Sequence, residues 1–207
     1  MQDWATPEQS LGWTEELLAG CWRVVERQEQ GDQLALVLGA PLRPLTASER
    51  QVLLLFVQGH ANKCIALDLG LAFSTVSQRL ATVTATLGFA SRAELLWCAS
   101  RALSVQHAAA NGVRAVRALA FESGGEQRLL FCFRSSDAPL PAVLTPAERE
   151  VVRGVIAGKS NAAIARARGG SPHTVANQLA KIYRKLAVSS RWELMSRCQK
   201  IALPVAV

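Results

Sequence analysis

The chain has 207 residues, half of them apolar, 19% charged and 6% aromatic. That balance excludes wholesale disorder, and no apolar run approaches the ~18–20 residues that cross a bilayer. The net charge of +7 is uneven: residues 1–103 carry 8 Lys/Arg against 10 Asp/Glu, and residues 104–207 carry 15 against 6. A basic half points to nucleic acid or another anionic surface.

Residues 1–44 are expected to form an N-terminal helix and a β-hairpin. Met1-Gln2-Asp3-Trp4 lacks the basic and then apolar pattern of a secretory leader, so a soluble, cytoplasmic chain is expected. Trp22 to Gln28 and Gln33 to Leu38 flank Gly31-Asp32, the pattern of two strands about a turn. The connector Pro41-Leu42-Arg43-Pro44 leads into a first helical unit, 45–111. Its first helix opens with Thr46-x-x-Glu49, a capping box, and closes at Gly59. A short helix follows from about Asn62 to Leu69, then a turn at Gly70 and a longer helix carrying Val76, Leu80, Val83 and Leu87 on one stripe. A fourth, extended helix opens with Ser91-x-x-Glu94. Residues 112–143 read as a second hairpin and linker: Val113 to Phe121 and Gln127 to Phe133 flank Ser123-Gly124-Gly125-Glu126, and Pro139-Leu140-Pro141 follows.

The last segment, 144–207, repeats the first unit. Leu144-Thr-Pro-Ala-Glu-Arg149 aligns with Leu45-Thr-Ala-Ser-Glu-Arg50. The register, an offset of 99 residues, runs without a gap to Leu96 and Met195, with nineteen of fifty-two positions identical. A gapless match of that length marks an internal duplication. The second copy adds Pro146 and a Ser171-Pro172 helix start, where the first has Ala72-Phe73 and no cap. The expected fold is mainly α with short β-hairpins: tandem four-helix units, each holding a helix-turn-helix.

The third helix of the second copy carries Val175, Leu179, Ile182 and Leu186 on one stripe. His173, Asn177, Ala180, Lys181 and Arg184 lie opposite, with Gln178 and Lys185 on the flank. Asn suits a bidentate contact with adenine; Lys and Arg suit guanine or phosphate. Lys159, just before the second helix, and Arg166 and Arg168, on it, suit phosphate. The first copy has Ser74, Gln78, Ala81, Thr82 and Ala85 on the matching face, without charge, and Arg79 as the one cation between Lys63 and Arg92.

Leu144-Thr-Pro-Ala-Glu-Arg-Glu-Val151, Gly158-Lys-Ser-Asn161, Ile164-Ala165, Thr174-Val175, Lys185-Leu186 and Ser190-Arg191-x-Glu193-Leu194 resemble the LuxR-type (GerE-like) DNA-binding domain. The resemblance covers about fifty residues in each copy. It implies a bacterial transcription regulator, nucleoid-associated when bound, whose third helix enters the major groove of double-stranded DNA. It implies DNA contacts from His173, Thr174, Asn177, Gln178, Lys181, Arg184, Lys185, Lys159 and Arg166, with a lesser part for Ser74, Gln78 and Arg79. Both copies depart from the family pattern: Ser77 and Ala176 stand where a basic residue is usual, and Gly170 where an aliphatic one is.

One helix-turn-helix reads few base pairs, so a homodimer is expected. Candidate contacts are the fourth helices, through Trp97, Leu96 and Leu103 and through Trp192, Met195 and Ile201, or the hairpin edges. The hairpins' apolar residues, Leu34, Leu36, Leu38, Leu129, Phe131 and Phe133, need cover, which the two hairpins can also give each other within one chain. Two other readings stay open: an adaptor for another regulatory protein that retains the fold, and non-specific DNA association.

No enzyme signature is present: no Gly-rich phosphate loop and no nucleophile elbow. His60 and Cys64, at i and i+4, make at most half a metal site, so neither metal nor cofactor is expected. Cys21, Cys64, Cys98, Cys132 and Cys198 are odd in number, with no Cys-x-x-Cys, and read as buried reduced thiols.

Overall fold

The computed structural model describes residues 12–13, 15–17, 19–30, 33–108, 116–134 and 140–199. Trp4, the Gly31-Asp32 turn, Val113, Pro139 and Ile201 lie outside these residues, as do the side chains of Leu103 and Phe133. After helical residues at 12–13, 15–17 and 19 come strands β1 (Arg23–Gln30) and β2 (Gln33–Gly39). Helices α1 (Ala47–Val57), α2 (Asn62–Asp68), α3 (Phe73–Thr86) and α4 (Arg92–Ala108) follow. Strands β3 (Val116–Ser123) and β4 (Glu126–Arg134) lead into α5 (Pro146–Ile156), α6 (Asn161–Ala167), α7 (Pro172–Lys185) and α8 (Arg191–Gln199). No described helix is long and apolar enough to cross a membrane.

The helix starts are built by short polar side chains. Thr46 Oγ1 accepts from the Glu49 N–H at 3.2 Å, and Glu49 Oε2 accepts from the Thr46 N–H at 2.8 Å. Thr145 and Glu148 repeat this at 3.3 and 2.9 Å. Each reciprocal pair satisfies two N–H groups that the helix leaves without partners. Ser160 and Ser171 cap α6 and α7, whereas α2 and α3 start at Ala61 and Ala72 with no side-chain cap.

The two hairpins do not stand apart. They join through β2 and β4 into one antiparallel sheet of order β1-β2-β4-β3. A shift of 93 residues carries Arg23 onto Val116, the first residues of β1 and β3. The same shift carries Val37 onto Leu130, and these two are cross-strand partners. It also interchanges the pairs Leu36–Phe131 and Leu38–Leu129. A local two-fold axis therefore passes beside Val37 and Leu130. The helical units keep a shift of 99, so six more residues separate equivalent strand and helix positions in the second copy. On one sheet face Leu34, Leu36, Leu38, Ala118, Leu129 and Phe131 are buried in the same cluster as Leu95, Trp97, Leu194 and Met195 of the fourth helices. The hairpins thus share one covered face and have no free inner edge.

The helical units meet in a reciprocal contact. Gly59 and Gly158, at φ +94 and +74, end α1 and α5 in the left-handed region. A Cβ on Gly158 would sit 3.0 Å from Cγ of Trp97, and one on Gly59 would sit 3.0 Å from Cγ of Trp192. Each copy's fourth helix lays an indole on the other copy's helix-ending glycine. Trp97 Nε1 also donates to the Ile156 carbonyl. Trp97, Trp192 and Met195 are 2%, 6% and 0% exposed, and Leu96 is buried. Of the side chains expected to offer a contact to a second chain, Leu96, Trp97, Trp192 and Met195 are thus buried within this one, because each copy's apolar helix end needs cover and its twin is tethered beside it. The cysteines divide: Cys98 and Cys198 are buried, Cys132 is half-buried, and Cys21 and Cys64 are exposed, contrary to the expected burial. Both exposed thiols sit where no core reaches, one after a helix end and one on the outer face of α2.

Two predictions follow from local geometry. Ala187 holds φ +48, a left-handed conformation that costs a side-chain-bearing residue energy, while the matching Gly88 meets the same need freely. Ala187→Gly should raise stability by about 1 kcal/mol. Gly88→Ala should lower it by more than about 2 kcal/mol, since its Cβ would fall 2.1 Å from the Val24 carbonyl oxygen. Denaturant melts measure both. Glu49 receives Arg43 Nη1 and Nη2 at 2.8 and 2.7 Å, and this pairing with the cap holds its pKa down to about 2. An unfolded Glu titrates near ~4.3, so the pair's stabilisation is complete above that pH and is lost as pH falls toward about 2. Glu49→Gln should flatten the fall of melting temperature with pH between ~4.3 and about 2, because the group that titrates there is gone.

Candidate nucleic-acid interface

Helix α7 is positioned by its apolar stripe. Val175, Leu179, Ile182 and Leu186 are all at or below 3% exposed, which fixes the helix's rotation. His173, Thr174, Asn177, Ala180, Lys181 and Arg184 are then exposed together. Ser171 Oγ accepts from the Thr174 N–H at 3.1 Å and shares a hydrogen bond with the Thr174 hydroxyl at 2.9 Å. Pro172 opens the helix, where a missing N–H costs nothing. At the far end Arg197 Nη1 donates to the Leu186 carbonyl at 2.7 Å, satisfying a terminal acceptor.

The turn before α7 is held by Arg168. Its Nε lies 3.2 Å from Glu150 Oε2, and its Nη1 donates to Gln178 Oε1 at 2.8 Å. One guanidinium thus ties α5, the end of α6 and α7 together. Gln178 is half-buried, with its amide oxygen engaged in that tie. Lys159 and Arg166 are exposed at the two ends of α6. Arg191, on α8, donates to Asn161 Oδ1 at 3.1 Å and to the Lys159 carbonyl, so the fourth helix grips the loop that presents Lys159. Burial pushes the Arg191 guanidinium below its ordinary value. Lys159 and Arg166 also border a cleft of about 570 Å³ between the copies, shared with Arg27, Glu94 and Trp97.

Lys185 is exposed too, but it is paired within the chain. Its Nζ lies 2.7 Å from Glu148 Oε2, holding the end of α7 on the start of α5 and keeping the Glu148 carboxyl below the usual range. The largely buried capping carboxylate needs a counter-charge, and Lys185 supplies it with its own side chain still 37% exposed. In the first copy the connector's Arg43 does this for Glu49. Arg79, expected as a lesser contact, is half-buried and donates to Ser48 Oγ on α1. Ser74 and Gln78 are exposed on α3. Arg168 is expected beside Arg166 as a phosphate contact, and Arg191 is given no role of its own; the ties that both make within the fold are absent from the sequence expectations. For Arg191 a signal existed, its identity with Arg92 across the repeat, although Arg92 donates to the Ser77 carbonyl instead. His60 Nδ1 lies 3.8 Å from Asp68 Oδ2, and among the described residues no group of three metal-ligating side chains forms.

The molecule is thus a tandem helix-turn-helix protein with one basic and one uncharged third-helix face. The family model described as bacterial regulatory proteins, luxR family, matches it twice, over residues 43–99 and 142–198. The chain belongs to that family. A stretch of 66 residues, 32% of the chain, is 46% identical to a monoamine regulon transcriptional regulator of Klebsiella aerogenes and spans 29% of that relative. No solved structure matches.

A double-mutant cycle tests the role given to Lys185. Lys185→Met should lower the melting temperature, and that loss should shrink markedly in a Glu148→Gln background, because the partner is already gone. Calorimetry of the four proteins reads the coupling.

Proposed function

We propose that the chain is a sequence-specific, DNA-binding transcription regulator that reads the major groove mainly with α7 of the second copy. The observation that carries this reading is the exposed set His173, Asn177, Lys181 and Arg184, aligned opposite a fully buried stripe. The first copy supplies an internal comparison. On the same scaffold its α3 presents Ser74, Gln78, Thr82 and Ala85 at the matching positions. Retaining one frame while charging only one face is what a single reader requires. In this reading Asn177 contacts a base edge, Lys181 and Arg184 contact phosphate or guanine, and Lys159 and Arg166 set the docking register. The family match and the relative's description support a DNA-binding regulator of this kind. The chain works as a homodimer, since two basic units on a two-fold axis lengthen the operator.

The adaptor reading has one observation in its favour, the exposed Leu67 and Phe73 at the turn of the first copy. Binding separates the alternatives. Lys181→Ala with Arg184→Ala should weaken binding to specific and random duplexes alike, by about 10-fold or more, and flatten the salt slope by about two phosphate contacts. Asn177→Ala should instead change preference at one base position by about 1–3 kcal/mol. Unchanged affinity in the double mutant removes α7 from the interface. Steep salt dependence with no sequence discrimination leaves only non-specific association.

A further inference from the structure

Arg168 stands just past the end of α6, and its guanidinium is shared between two neighbours. Nη1 donates to Oε1 of Gln178 at 2.8 Å, and Nε donates to Oε2 of Glu150 at 3.2 Å. The offset of 99 residues sets Leu69, Arg79 and Gln51 at the matching places of the first copy. There Leu69 has no polar side-chain group to offer, and Arg79 donates to Ser48 Oγ on α1 instead. All three members of the tie differ between the copies, and the tie belongs to the copy with the basic third-helix face. The chemistry of the partner fixes which way the Gln178 amide points. A guanidinium has N–H donors and no acceptor, so the amide oxygen must face it and the amide nitrogen is directed elsewhere. The oxygen's remaining lone pair lies beside a full positive charge. That charge disfavours a second donor group there and polarises the amide N–H toward acceptors. Gln178 is half-buried and sits one helical turn from the exposed Thr174 and Lys181.

We propose that Arg168 makes Gln178 a donor-only reader of the major groove, and so sets a preference for guanine over adenine at the base pair that Gln178 meets. The proposal rests on the reading above, in which α7 enters the groove, and it names the base edge that one of its side chains takes. A free glutamine amide uses its oxygen and nitrogen together on adenine, accepting from the N6 amino group and donating to N7. With the oxygen held by Arg168, the accepting half of that contact is lost. Guanine presents N7 and O6 as acceptors side by side, and so suits an amide that only donates. Thymine O4 is a single acceptor and ranks below guanine; the cytosine N4 amino group is a donor and is disfavoured. Arg168 is thus a positioning residue: it touches no base and acts through Gln178. Its second arm, to Glu150 on α5, holds the guanidinium in place while Gln178 meets the groove.

Selection of bound duplexes from a randomised pool by the full chain tests this. Gln178→Ala identifies the base pair, as the one in each half-site where preference is lost. There the wild type is expected to favour guanine over adenine by about 5-fold or more. Arg168→Leu, which installs the residue of the first copy, releases the amide oxygen and is expected to bring adenine up to guanine's level or above at that pair alone. Glu150→Gln removes the other arm of the tie but leaves the Arg168–Gln178 bond, and is expected to keep the guanine preference. Should Arg168→Leu fail to fold, the wild-type order of guanine and adenine still decides. Adenine ahead of guanine in the wild type overturns the proposal, and so does a folded Arg168→Leu with an unchanged preference. An equal shift in Glu150→Gln also overturns it, because helix placement rather than the amide would then set the preference. Selected duplexes with preferences that Gln178→Ala leaves intact overturn this proposal alone. A chain that selects no sequence at all overturns it together with the sequence-specific reading.

Discussion

Each copy's fourth helix lays a tryptophan on the glycine that ends the other copy's first helix. That exchange, Trp97 on Gly158 and Trp192 on Gly59, is the contact on which the rest of the arrangement depends. A glycine is required at both places because the chain turns through positive φ and because an indole occupies the space of a Cβ. The contact commits the apolar faces of α4 and α8 to a joint inside one chain. The sheet repeats the commitment, since β2 and β4 pair about an axis beside Val37 and Leu130. The duplication is therefore closed on itself, an internal pair in which a single polypeptide supplies both partners.

Closure frees the two third-helix faces to diverge. Burial of Val76, Leu80 and Val83 in one copy, and of Val175, Leu179 and Ile182 in the other, keeps both helices in the same rotation. What points outward then varies at little cost to the fold. One face has gathered His173, Asn177, Lys181 and Arg184. The other has lost its charges, and the turn beside it has become apolar. The supporting ion pairs diverged too: the capping carboxylate is held by Arg43 in one copy and by Lys185 in the other.

Much of this was legible in the sequence, for reasons tied to particular residues. The capping boxes at Thr46 and Thr145, the Ser171-Pro172 start and the helix stripes depend on neighbours within one or two turns, so spacing alone exposes them. The shared sheet was only one of the options open, because its shift of 93 residues differs from the helical shift of 99 and the strands hold few identities. The tryptophan exchange was hidden for a sharper reason. The offset of 99 aligns Trp97 with Ser196 and Trp192 with Ala93, so the symmetric contact is made by side chains from unmatched positions. The Lys185–Glu148 pair was hidden because the partner lies 37 residues away, and nothing in the helix's own pattern reveals it.

The central proposal is that the second copy is the main DNA reader, on a scaffold common to both. Amide chemical-shift mapping of the full chain during titration with duplex DNA tests it most directly. The account predicts large changes over residues 159–166 and 171–184, with residues 60–67 and 72–85 nearly still. Changes of equal size in both sets, or confined to 72–85, would contradict it.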